Sequence, residues 1–222
     1  MFVRRSLMVF ALALSVARCA DQPTAVRPSS GPQFLRWSAT PQFTAQTRAR
    51  RSGAMALTPP ISLEQYSVSF WAVRGQSRSV RINYSSTIDN ETHPFLELTA
   101  TDPTFAPEIG DLAVGDSVLI TVTVDTSKIG VTFEPTGLQF GTASQLQIWY
   151  GGASGDLNGD GIADGTDQQL AEQLLGLVYR EYSNDSWTQV PATHLVDDKS
   201  FVYALPHFCE YAVALLEWAV QL

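Results

Sequence analysis

Twelve consecutive residues carry ligand-binding chemistry in their spacing: Asp156-Leu157-Asn158-Gly159-Asp160-Gly161-Ile162-Ala163-Asp164-Gly165-Thr166-Asp167. Oxygen-bearing side chains fall at loop positions one, three, five, nine and twelve, with Gly161 at position six. A calcium ion takes six to eight oxygen ligands, and a loop with this spacing wraps round one. Asp156, Asn158 and Asp160 are expected to bind through side-chain oxygens and Ile162 through its backbone carbonyl. Asp164 is expected to bind directly or through a water, and Asp167 stands where helix-loop-helix calcium sites usually carry a bidentate Glu. Four carboxylates held this close repel one another without a cation, so Ca2+ is the expected cofactor and the ion is expected to order the loop.

The segment after the loop must hold it. Leu170, Ala171, Leu174, Leu175, Leu177 and Val178 recur at helical spacing, which predicts a helix from Asp167 to about Glu181. Thr166 is the expected N-cap, with Gln169 completing a capping box. Gly176 weakens this helix by about 1 kcal/mol relative to alanine. The stretch before the loop, Leu146 to Tyr150, alternates as a strand. The loop therefore feeds a single helix and lacks the second helix of a calcium hand.

Period-two alternation dominates the chain from Ile61 onward. Val68, Phe70 and Ala72; Val80, Ile82 and Tyr84; Leu96, Leu98 and Ala100; Val118, Ile120, Val122 and Val124; Val131 and Phe133; and Leu146, Ile148 and Tyr150 each alternate with other residues, the pattern of half-buried strands. Gly, Asp-Asn and Pro turns separate them. Further strands are expected at Trp187–Val190, at Phe201–Leu205 and from His207 to about Leu215. The expected fold is all-β: an antiparallel sandwich over residues 61–222, with a calcium loop-helix insertion at 154–182.

The N-terminal third reads differently. Arg4 and Arg5 precede an apolar run from Leu7 to Val16, the composition of an export signal over residues 1–18. Val16-Ala17-Arg18-Cys19 resembles the lipobox of bacterial lipoproteins, in which the cysteine is lipidated; Arg18 departs from the small residue usual there. That resemblance implies lipid attachment at Cys19 and a membrane-anchored location in the bacterial cell envelope. Residues 19–60, interrupted by six prolines, read as a flexible tether in which the Phe34-Leu35-Arg36-Trp37 cluster is able to fold back on the domain.

Charge narrows the partners. The 222 residues carry a formal net charge of −8, from 14 basic and 22 acidic side chains. Without residues 1–18, which hold Arg4, Arg5 and Arg18, 11 basic groups face the same 22 acids. An acidic body suits divalent cations and not nucleic acid, whose phosphates call for Lys and Arg clusters. No zinc-binding His pair, nucleophile elbow or phosphate-binding glycine loop appears, so a non-catalytic role is expected. Trp37, Trp71, Trp149, Trp187 and Trp218 leave calcium-dependent glycan binding or adhesion as the alternative, the partner being an unidentified protein or glycan.

Three stretches carry a family resemblance: Val131-Thr132-Phe133-Glu134-Pro135-Thr136-Gly137-Leu138-Gln139-Phe140, Leu146-Gln147-Ile148-Trp149-Tyr150 and His207-Phe208-Cys209-Glu210-Tyr211-Ala212-Val213. Together they resemble the ZU-five-type β-sandwich of bacterial envelope proteins over roughly Pro60 to Leu215. The resemblance implies an interaction module without a conventional active site. Some relatives cleave their own chain in a His-Phe-Ser motif; here Cys209 replaces the Ser, which makes cleavage at Phe208-Cys209 a further alternative. The loop itself resembles the first half of a dockerin repeat, present here in one copy where dockerins carry two.

Overall fold

A computed structural model describes residues 31–51, 54–57, 61, 62, 66–86 and 88–216. The expected leader, Cys19 and Trp218 lie outside these residues. The strands, in chain order, are β1 (Gln33–Phe34), β2 (Gln42–Arg51), β3 (Ala54–Leu57), β4 (Ile61–Ser62), β5 (Ser67–Val73), β6 (Ser77–Ser85), β7 (Thr92–Thr101), β8 (Pro103–Ala106), β9 (Gly110–Asp111), β10 (Ser117–Asp125), β11 (Gly130–Glu134) and β12 (Gln139–Trp149). Helix α1 (Gly165–Leu174) follows, then β13 (Leu175–Arg180), β14 (Thr188–Gln189), β15 (Thr193–Leu195), β16 (Ser200–His207) and β17 (Glu210–Leu215).

The strands form two antiparallel sheets. One runs β14-β13-β17-β11-β10-β5, with β1 also on β17; the other runs β15-β16-β12-β7-β6-β2-β3, with β4 on β2 and the β8–β9 pair on β12. The alternating residues named above supply the interior. Val68, Phe70, Val118, Ile120, Val122, Val131 and Phe133 from the first sheet share one buried cluster with Val80, Ile82, Leu96, Leu98, Leu146 and Ile148 from the second. The all-β sandwich reading therefore holds. A register shift between β6 and β7 at Ile82/Asn83 buries Phe95 and Leu96 together, although they are consecutive.

The sandwich begins well before residue 61. Within the segment expected to be a tether, β2 pairs with β6 from Gln42↔Ser85 to Ala49↔Arg78, and β1 pairs with β17. Leu35, Phe43 and Ala45 are buried. Trp37 does fold back: its ring meets Phe43, Tyr84 and Phe95 at 5.3, 5.4 and 5.0 Å, and its indole N–H donates to the Asp125 carbonyl at 2.9 Å. The inward positions of β2 begin with one large residue, Phe43, followed by the small Ala45. That is too little hydrophobic contrast to register as alternation.

The helix ends earlier than its spacing suggests. Leu175–Arg180 is a strand, in register with β17 from Leu175↔Leu215 to Arg180↔Glu210. Leu175 and Leu177 enter the main core, while Val178 is buried on the opposite face with Ala212 and Ala214 beneath Phe34, Trp187 and Leu216. A strand covered on both faces reads as a continuous apolar run, which periodicity alone does not separate from a helix. Its end is locked outside the sheet: Arg180 Nε meets Glu210 Oε2 at 2.6 Å, and Glu210 Oε1 takes Lys128 Nζ at 3.0 Å.

This geometry bears on one substitution. A Cβ on Gly176 meets the Leu216 side chain and comes within 3.3 Å of Gln189 Nε2. Gly176→Ala is therefore expected to displace the Leu216 side chain and, in urea unfolding, not to gain the about 1 kcal/mol that the same change gives inside a helix. Leu177→Ala is expected to cost about 2–5 kcal/mol in the same experiment.

Candidate metal site

The loop crosses from β12 in one sheet to β13 in the other, so it and α1 close one end of the sandwich. Its turns are built by its own side chains. Asp156 Oδ1 accepts from the Gly159 N–H at 2.7 Å and Oδ2 from the Gly161 N–H at 2.9 Å. Asn158 Oδ1 accepts from the Asp160 N–H and Asp160 Oδ1 from the Ile162 N–H, both at 2.8 Å. Gly159 and Gly161 have φ of +79° and +88°, conformations that only glycine adopts readily.

Asp167 is placed differently from the other acids. Asn158, Asp160, Ile162 and Asp164 are exposed and Asp156 is half-buried, whereas Asp167 is 3% exposed. Its Oδ1 accepts from the Leu157 and Asn158 N–H groups at 2.7 and 3.0 Å, and its Oδ2 from the Asp164 N–H at 2.9 Å. The Asp164 N–H, joined by those of Asn158 and Leu157, holds this carboxyl below the usual carboxylate range.

These contacts also correct the helix start. The N-cap is Asp164, whose Oδ1 accepts from the Thr166 N–H at 2.7 Å, and Asp167 completes the capping box. The cap lies two residues before Thr166, and Gln169 has no part in it. Asp164 is the stronger choice because its carboxylate and that of Asp167 both face the positive end of the helix.

No three of the loop's carboxylates bring ligand atoms within 4.8 Å of one another; what suits a hard cation is the chemistry of the donor set. It consists of oxygen throughout, and carboxylates have about four acceptor sites each. Asp156 uses two of these on amides and Asp167 three. The loop is therefore already folded round its own N–H groups, with acceptor capacity left on every acid.

A second grouping was not legible in the sequence. Ligand atoms of Asp89, Glu91 and His93 all lie within 4.8 Å of one another, the one set of three or more His, Cys, Asp or Glu groups so close among the described residues. They sit where β6 turns into β7. The signal available was Asp-x-Glu-x-His at alternate positions, which reads first as an ordinary polar turn.

The remaining candidates lie elsewhere in the sandwich. Phe208 and Cys209 are fully buried. Phe208 stacks on Phe133 at 5.0 Å, its N–H donates to the Leu138 carbonyl and its carbonyl accepts from the Gly137 N–H. Burial pushes the Cys209 thiol up to about 12, away from the thiolate that attack on a carbonyl requires. The tryptophans are scattered: Trp37 is tied to Asp125, Trp71 stands 54% exposed on β5, Trp149 donates to Asp198, and Trp187 lies under Arg180.

No protein-family model, curated protein or solved structure matches the chain.

Two outcomes follow from this geometry. With chelator present, Asp167→Ala is expected to lower the melting temperature, because three loop amides lose their acceptor, while Asp160→Ala leaves it nearly unchanged. Cys209 is expected to resist alkylation at neutral pH until the chain is unfolded. A reacted thiol in the folded protein, or a mass break after Phe208, would contradict the packing described.

Proposed function

We propose that this chain is an exported, lipid-anchored bacterial envelope protein whose β-sandwich is stabilised by calcium and serves a non-catalytic binding or structural role. The observation that carries the calcium reading is the position of Asp167. One buried carboxylate, at the last ligand position of the loop, holds loop residues 157 and 158 and the start of α1 together.

Side chains of Asp156, Asn158, Asp160, Asp164 and Asp167 and the carbonyl of Ile162 would hold the ion. Calcium would neutralise part of the charge that four acids bring to one loop. Because the loop spans the two sheets, that neutralisation stabilises the closed end of the domain. A single loop with no paired partner suits a fixed stabilising site better than a sensor that opens a groove.

Export and anchoring rest on the basic and apolar leader and on Cys19. The ZU-five resemblance supports the interaction role. Its two best motifs, the turn from Phe133 to Phe140 and the stretch from His207 to Val213, pack against each other through Phe133, Leu138 and Phe208.

Titration calorimetry of the exported chain tests the reading. Calcium is expected to bind with measurable heat, and at a hundredfold excess over Kd to add about 2.7 kcal/mol of stability. Asp160→Ala is expected to abolish both. A wild-type chain with no heat and no gain in stability would sink the proposal.

A further inference from the structure

We propose a second metal site, for a divalent transition ion of the zinc class, at Asp89, Glu91 and His93. It uses residues outside the calcium loop and does not depend on calcium binding there. Asp89 Oδ2 lies 2.8 Å from His93 Nε2, and a Glu91 oxygen lies within 4.8 Å of both ligand atoms.

The donor chemistry selects the ion. Calcium and magnesium take oxygen ligands, whereas imidazole suits zinc, copper, nickel and iron. One nitrogen and two carboxylates leave a fourth position open, the arrangement of zinc sites that keep a water. Tetrahedral zinc ligands at about 2.0–2.2 Å from the ion stand roughly 3.3–3.6 Å apart. The Asp89–His93 pair would thus open by about half an ångström to admit one.

The surroundings leave room for such an ion. The His93 ring rests on buried Tyr84 at 5.4 Å, which limits its orientation. His93 and Asp89, though not Glu91, also line an open groove of about 530 Å3, together with Tyr84, Trp149 and Asp198. An ion held there has room on its open side for a water or a small ligand. Concave sites with a few convergent polar groups are where ligands are usually held.

The chain has three histidines. His194 Nε2 is engaged by the Tyr150 hydroxyl at 2.8 Å, and His207 Nδ1 is buried. Cys209 is buried too. His93 is the imidazole that stands beside two carboxylates, which makes its substitution decisive.

The experiment is a Co2+ titration of the full chain, with calcium saturating, followed by visible absorption and back-titration with Zn2+. The expected result is one equivalent with a d–d band that Zn2+ bleaches. The band is expected to vanish in His93→Ala, to weaken or disappear in Glu91→Gln, and to persist in Asp160→Ala. All three are exposed or half-buried positions, and circular dichroism verifies that the variants fold. No band, a band that survives His93→Ala, or a thiolate-to-cobalt charge-transfer band would overturn the site.

Discussion

The Asp167 carboxylate is the contact on which the closed end of this molecule depends. It is buried, and it accepts the N–H groups of Leu157 and Asn158 from the first arm of the loop and that of Asp164, the residue that caps α1. Without it, three amides would lose their acceptor at the point where the chain leaves one sheet for the other, and unsatisfied buried donors are costly. The helix supported by this contact is short, ten residues, and presses Leu170, Ala171 and Leu174 on the core. Too short to be stable alone, it is held by its cap at one end and by β13 at the other.

That junction explains why β13 and β17 matter beyond ordinary pairing. β17 has β13 on one edge and β11 followed by β1 on the other, and its face away from the core is covered around Ala212 and Ala214. The N-terminal segment and the strand after α1 therefore meet on the same central strand. Lys128, Glu210 and Arg180 tie the outer side, with Phe34 and Trp187 packed against the two cations. The end of the sandwich near the loop and the outer face of β17 are thus linked through β13.

Strands with one wet face were readable from the chain, since Val118, Ile120, Val122 and Val124 could alternate only in that way. Segments departing from that condition were not. Leu175 to Arg180 is covered on both faces and resembled helix. The described core-side positions of Gln42 to Arg51 begin with Phe43 and the small Ala45, and the segment resembled linker. The loop's residues were visible because metal-ligand spacing is local in sequence. Its cap was displaced by two residues because Thr166 and Asp164 both satisfy the local rule, and only the contact to Asp167 distinguishes them. Asp89, Glu91 and His93 became visible as a group only when the turn brought their ends together. This group and the 156–167 loop belong to one end of the sandwich: Gly155, Asp197 and Lys199 line both the 530 Å3 cavity beside His93 and a cavity of about 460 Å3 under the loop.

Amide hydrogen exchange across residues 156–180, with calcium and with chelator, tests the central claim most directly. The account predicts that calcium slows exchange at Gly159, Gly161, Ile162 and the first turn of α1, and carries some protection into β13, while β6 and β7 stay unchanged. Identical exchange of the loop in both conditions would contradict it.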